Sequence, residues 1–101
     1  MNITFWGTRG SIPVPGKDTL RYGGNTSCVS VEGDFGELIV LDGGSGLRVL
    51  GNYLLAKGFR DKELYMFFSH VHWDHIQGIP FFKPMFIKGN TIHMHGEKKV
   101  L

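Results

Sequence analysis

The sequence predicts an α/β protein in which a mixed β-sheet carries helices on one face. Residues 26–31 and 37–41 are apolar or β-branched runs joined by a polar, glycine-containing turn, which indicates an antiparallel hairpin. The second strand is followed by a helical pattern and then by an apolar run at residues 64–68, an order typical of a parallel crossover. A sheet with both kinds of pairing is mixed.

The first elements follow from local patterns. Residues 2–6 alternate loosely and end at a glycine, which indicates a short first strand. A helix is expected from residue 45 or 46 to residue 57, because leucines recur there at helical spacing. Gly58 stands where a left-handed cap would end this helix. The stripe that the helix would bury is Leu47, Leu50 and Leu54.

The chain beyond residue 60 is expected to form a strand, a short helix and another strand. Residues 64–68 are apolar throughout, so we expect both faces of this strand to be covered. Residues 76–82 should include a short helix that Pro80 and Pro84 stop or kink, and residues 91–95 should form a strand. Four large side chains are interpreted as core, although aromatics near a site can also stack bases: Phe81, Phe82, Met85 and Phe86.

Length and composition indicate one small globular domain, residues 1–101. Hydrophobic residues make up 42% and charged residues 20%, which excludes a disordered chain. A formal charge of +2 gives no global signal for nucleic acid or an acidic membrane. Cys28 is the only cysteine, and no signal-peptide pattern or long apolar run is visible, so we expect a soluble protein of the reducing cytoplasm.

A group of potential metal ligands follows the apolar strand. His70, His72, Asp74 and His75 fall within six residues. Alternate side chains of an extended chain point to the same side, so His70 and His72 can face one ion, while Asp74 and His75 can take a second. Neutral imidazoles with a carboxylate suit zinc, manganese or iron. A lone histidine at a strand end is usually structural, but four ligand-type side chains in this pattern indicate metal binding.

The glycine-rich turn at residues 42–46 holds one acidic residue, Asp42. It lacks the patterns of nucleotide-binding loops. We interpret Asp42 as a hydrogen-bond partner that holds the metal-binding loop. The alternative is that Asp42 caps the following helix, which contributes about 1 kcal/mol. His93 and His95 repeat the H-x-H spacing without a following Asp-His pair, and are interpreted as structural or surface residues.

Several motifs carry a resemblance to a known family. Residues 69–80, SHVHWDHIQGIP, resemble the signature of the metallo-β-lactamase-fold hydrolases. Three further motifs resemble the branch that contains ribonuclease Z and related phosphodiesterases: residues 5–13 (FWGTRGSIP), 23–28 (GGNTSC) and 41–46 (LDGGSG). These motifs stand in the family's order and cover most of the chain.

The resemblance implies a fold and roles for the site residues. The family fold is an αββα sandwich of two similar halves, of which residues 1–101 would be the N-terminal half. The implied site binds two divalent ions, with Asp74 also orienting or deprotonating the attacking water. The family places an aspartate where Asp42 stands, and Asn25 and Thr26 would contact substrate. Further family ligands come from downstream, yet no aspartate follows Asp74 here.

Two functions are therefore kept open. The first is a metal-dependent hydrolase of phosphodiester bonds, acting on a small phosphodiester or a nucleic acid, with the isolated 101 residues inactive or nearly so. The second is a non-catalytic metal-binding or assembly module that completes a site only with a partner chain. A sheet with helices on one face leaves the other face apolar, so we expect a homo-oligomer or association with a C-terminal half. No membrane partner is expected.

Overall fold

The computed structural model describes residues 1–8, 24–69 and 73–96, and these form an α/β fold around a five-stranded mixed sheet. The strands are β1 (Asn2–Gly7), β2 (Cys28–Glu32), β3 (Leu38–Leu41), β4 (Glu63–Phe67) and β5 (Thr91–His95). They lie side by side in chain order. β1, β2 and β3 pair antiparallel, whereas β3 with β4 and β4 with β5 pair parallel. The predicted fold class is confirmed.

β2 and β3 form the expected hairpin. In its register, Val31 lies opposite Ile39. The connecting turn is closed by the Gly33 amide, which donates to the Glu37 carbonyl at 2.8 Å. Gly36 has a φ of 87°, a left-handed conformation that glycine adopts without steric cost. The glycine in the turn therefore allows the two strands to return on each other.

The crossover from β3 to β4 contains the helix α1 (Gly46–Ala56). Its predicted leucine stripe is buried. Gly58, two residues after the end of the helix, has a φ of 78°. The Phe59 amide donates to the Leu54 carbonyl and the Gly58 amide to the Leu55 carbonyl, both at 3.0 Å. This pair of bonds is the Schellman motif, so the predicted glycine cap is confirmed.

The hydrophobic core lies between one face of the sheet and α1. Two short 3-10 helices, Ile79–Phe81 and Lys83–Phe86, complete its cover. Gly51 makes room for them, because a Cβ at this position would lie 3.0 Å from atoms of both Phe82 and Pro84. The core side chains are Cys28, Leu38, Val40, Leu47, Leu50, Leu54, Phe59, Leu64, Met66 and Phe82.

The expectation that both faces of β4 are covered is wrong for the described residues. Leu64 and Met66 are buried, but Tyr65 is 38% and Phe67 41% exposed. Strand pairing aligns these two residues with partners that point the same way, and together they form what we term the open sheet face. Its members are Ile3, Phe5, Val29, Val31, Ile39, Leu41, Tyr65, Phe67, His93 and His95.

The two histidines of β5 lie on this open sheet face. The His93 ring stacks on Tyr65 with centroids 4.5 Å apart, and the His95 ring stacks on Phe67 at 4.9 Å. Such cross-strand pairs stabilise a sheet. The interpretation of His93 and His95 as structural or surface residues agrees with this position.

The segment after β4 differs in detail from the prediction. Helix α2 covers Trp73–Ile76, and the chain then continues as the two 3-10 helices. Pro80 and Pro84 each stand in the first turn of a 3-10 helix, where a missing amide proton costs nothing, so they begin helices as well as interrupt one. Phe82 is core, as expected, but Phe81 and Phe86 are exposed.

Within the described ranges, no helix is long and apolar enough to cross a membrane. The assignment of residues 1–101 to one partial domain stays a prediction.

Candidate functional site

The candidate site lies where β3 and β4 end. These strands are parallel neighbours, so their carboxyl ends meet at the same edge of the sheet. Asp42 directly follows β3, and the segment from Phe68 to α2 follows β4. The Asp42 amide donates to the Phe67 carbonyl at 2.8 Å, which joins the first residue after one strand to the last residue of the other.

Asp42 is the centre of a hydrogen-bond network at this edge. It is 8% exposed, and its φ of 65° places it in the left-handed region. Oδ1 accepts from the Ser69 amide at 2.7 Å, and Oδ2 accepts from Ser69 Oγ at 2.9 Å. Ser27 Oγ donates to Oδ2 at 3.5 Å. Asp42 therefore accepts hydrogen bonds from Ser69, just after β4, and its role beside a metal ion stays a prediction.

His75 is the predicted metal ligand whose side chain the structure describes. It lies on α2, and its Nδ1 is 2.9 Å from Asp42 Oδ2. Because a carboxylate oxygen accepts, this contact corresponds to the tautomer with the proton on Nδ1, in which Nε2 is the nitrogen that could ligate a metal ion. A histidine that donates one ring N–H to a carboxylate is a common arrangement in metal sites, since the carboxylate fixes the ring orientation. The donor set and geometry of this pair fit a metal-binding role.

Backbone hydrogen bonds hold the Asp42 turn against α2. The Gly43 amide donates to the His75 carbonyl at 2.7 Å, and the Gly78 amide donates to the Gly43 carbonyl at 2.8 Å. The two segments approach so closely that a Cβ at Gly78 would lie 2.0 Å from the Gly44 carbonyl oxygen. Glycine at residue 78 is therefore a requirement of space, and the close packing fixes the distance between Asp42 and His75.

Thr26, predicted to contact substrate, lies beside the start of α1. It has no exposed surface. Thr26 Oγ1 accepts from the Ser45 amide at 2.7 Å, and Ser45 Oγ accepts from the Thr26 amide at 2.9 Å. Asn25 Oδ1 accepts from Ser45 Oγ at 3.2 Å. Substrate contact by Asn25 and Thr26 stays a prediction; the Thr26 hydroxyl is used inside the protein.

The alternative role of Asp42 as a helix cap is wrong. Ser45 is the residue that precedes α1, and the nearby amides bond to Thr26 instead of to Asp42. Thr26 Oγ1 accepts from the Ser45 amide, and the Thr26 carbonyl accepts from the Gly46 amide at 3.3 Å. A residue 19 positions earlier in the chain thus satisfies amides that a helix start leaves without partners.

Sequence reasoning missed Gln77. Its Nε2 donates to Thr26 Oγ1 at 2.8 Å, between residues 51 positions apart, and the side chain is buried. Gln77 is a polar residue in an otherwise small and apolar segment after α2, and this pattern could have indicated a structural role. A buried amide side chain needs a hydrogen-bond partner.

The predicted ligands His70 and His72 and the side chain of Asp74 lie outside the described part of the chain. Among the described residues, no three side chains of the His, Cys, Asp and Glu types come together as a metal site. The arrangement of His70, His72 and Asp74 around His75 stays a prediction.

Comparison with known proteins gives one relevant similarity. No family model matches the chain. The chain is 37% identical over 81 residues to the ribonuclease Z of Haloarcula marismortui. The matched region is 79% of this chain but 22% of the length of that relative, so the chain spans about a fifth of the relative.

Proposed function

We propose that this chain supplies part of a metal-dependent hydrolase of the metallo-β-lactamase fold that cleaves phosphodiester bonds. The observation that carries the proposal is the Asp42–His75 pair, 2.9 Å apart at the carboxyl ends of two parallel strands. It brings a carboxylate to a histidine of the H-x-H-x-D-H motif from 33 residues away. The similarity to a ribonuclease Z supports the same proposal.

In the proposed site, His70 and His72 would hold one divalent ion, and Asp74 and His75 would hold a second. Zinc is the ion that this ligand set suits best, and manganese or iron also fit. When bound, such ions lower the pKa of a water molecule toward ~7 and offset negative charge on substrate oxygens.

The chain's own residues orient the other groups of the site, and one of them can accept a proton. Asp42 holds the His75 ring through Nδ1, so that Nε2 would be the ligand atom. Asp74 orients or deprotonates the attacking water. Asn25 contacts the substrate, with Thr26 supporting it from inside the protein. The substrate is a small phosphodiester or a nucleic acid.

We also propose that the open sheet face packs on another sheet, supplied by a C-terminal half or by a second copy of the chain. The similarity covers about a fifth of the relative, and an apolar sheet face of this kind calls for a partner surface. That partner surface would supply further metal ligands. The cytoplasmic location expected from the single cysteine stays a prediction.

A second candidate function is a metal-binding or assembly module without catalysis. The observation that favours it is the open sheet face, whose exposed apolar side chains suit an interface with a partner chain. In this case the four ligands hold one ion and help to hold an assembly together.

Zinc stoichiometry and hydrolysis, measured in one preparation, test these proposals. We expect the chain to bind zinc and to hydrolyse bis(p-nitrophenyl) phosphate hardly or not at all by itself. His75→Ala should lose zinc binding, whereas His93→Ala, a matched histidine substitution on the open sheet face, should retain it. Two ions with turnover would support the hydrolase, and one ion without turnover the module. Equal zinc binding by His75→Ala and the wild type would contradict both.

A further inference from the structure

A polar network links the segments that carry Asp42 and His75. Ser45 follows Asp42 by three residues, and Gln77 follows His75 by two. Both residues donate to the same atom, Thr26 Oγ1, which accepts from the Ser45 backbone amide at 2.7 Å and from Gln77 Nε2 at 2.8 Å. One hydroxyl thus joins the turn that carries Asp42 to the segment that carries His75.

Burial makes this junction rigid. Thr26 is fully buried and Gln77 is 8% exposed. In a low-dielectric interior a hydrogen bond is stronger than in water, and a donor left without an acceptor is costly. The backbone bonds from Gly43 and Gly78 run beside the junction and leave the two segments little freedom to slide past each other.

We propose that Thr26 and Gln77 are positioning residues that set the Asp42–His75 distance and hold the His75 ring ready for a metal ion. This inference rests on the proposed function. Neither residue touches the ion or the reacting atoms; they act through Ser45 and the Asp42 turn on one side and through α2 on the other. Removal of a side chain that orients a metal ligand typically lowers metal affinity by about 10–100-fold.

Two substitutions separate positioning from packing. Gln77→Met keeps the length and the apolar stem of the side chain but removes the donor, and Thr26→Val keeps the shape but removes the acceptor. Thr26→Ser keeps the hydroxyl and serves as the conservative variant. Ser30→Ala is the matched control, because it removes the acceptor of a 2.8 Å hydrogen bond from Trp6 Nε1 that lies outside this network.

Zinc affinity is the first readout, measured by calorimetry on the full chain. We expect Gln77→Met to weaken zinc binding by about 10-fold and Thr26→Val by about 10–100-fold. Thr26→Ser and Ser30→Ala should bind zinc close to the wild-type level. If Ser30→Ala and Gln77→Met lose zinc affinity equally, the loss is a general effect of destabilisation and the proposal is overturned.

The second readout is the tautomer of the His75 ring in the metal-free chain, from long-range ¹H–¹⁵N NMR at pH 8. We expect the proton on Nδ1 in the wild type, in Thr26→Ser and in Ser30→Ala, and a shift toward the Nε2-protonated form in Gln77→Met and Thr26→Val. An unchanged tautomer in both variants would overturn the proposal. If the wild type fails to bind zinc, the proposed function fails, and the tautomer still decides whether Thr26 and Gln77 position His75.

Discussion

The Asp42 carboxylate lies 2.9 Å from His75 Nδ1, and Asp42 reaches it from a left-handed backbone conformation with a φ of 65°. Left-handed backbone is unfavourable for residues other than glycine, although asparagine and aspartate tolerate it better than most. The surrounding hydrogen bonds to Ser69 and Ser27 hold the residue there. An uncommon conformation held by several bonds at a candidate site suits a residue kept for its side-chain position.

Asp42→Asn should weaken zinc binding with little loss of fold. Asparagine keeps the shape of the side chain and tolerates the left-handed backbone, but it removes the charge that makes the carboxylate a strong acceptor for His75. We expect about 10–100-fold lower zinc affinity, measured by calorimetry. Asp34→Asn, on an exposed carboxylate that pairs with the N-terminal amine, is the control. Zinc affinity that stays at the wild-type level in Asp42→Asn would contradict the role of the pair.

Gly78→Ala should destabilise the protein through lack of space. A Cβ at this position would lie 2.0 Å from the Gly44 carbonyl oxygen, so backbone must move. Gly36→Ala is a contrasting control. The φ of 87° at residue 36 strains any other residue, but nothing lies within 4 Å of a Cβ added there, so the substitution causes no crowding. We expect a loss of about 1–2 kcal/mol at Gly36 and a larger one at Gly78, from urea unfolding. A smaller loss at Gly78 would argue against the close approach of the two turns.

Cys28 should be unreactive, and its ionisation should make stability fall at high pH. Burial, with a smaller effect of the nearby Asp42 charge, raises the pKa of Cys28 from 9.0 to about 12. Between these values the unfolded chain releases the thiol proton while the folded chain keeps it, so the free energy of unfolding falls as pH rises. The slope from this thiol is at most about 1.4 kcal/mol per pH unit.

Chemical denaturation from pH 8 to pH 11 measures this dependence for the wild type and for Cys28→Ala. The variant should lose stability less steeply above pH 9, because the other titrating groups are shared. Labelling of the native thiol by a disulfide reagent at pH 8 should be slow and should become fast in denaturant. Identical slopes in the two proteins would show that Cys28 does not contribute.

The open sheet face should drive association. Apolar surface exposed to water costs about 25 cal/mol per Å², so an assembly that covers it is favoured. We expect the wild type to associate in light scattering coupled to size exclusion, and the double variant Phe5→Ser, Phe67→Ser to be a monomer. Phe35→Ser, at a turn position where the side chain is 96% exposed, should leave association unchanged. A wild type that stays monomeric and binds no hydrophobic dye would refute the idea.

Local patterns in the sequence were enough to predict several elements of the fold. The hairpin, the leucine stripe of α1 and the end of α1 at Gly58 were predicted because periodicity, turn glycines and caps act within a few residues. The position of Asp42 at the end of a strand was also readable, because an apolar run precedes it.

Which polar groups meet and which apolar side chains stay exposed depends on how the elements pack together. Residues 64–68 are apolar throughout, and the sequence alone does not tell that Leu64 faces the core while Tyr65 lies on the open sheet face, because burial depends on what packs against each side. Gln77 and Thr26 are 51 positions apart, and His75 and Asp42 are 33 apart. Such contacts depend on the path of the whole chain, which no local pattern encodes.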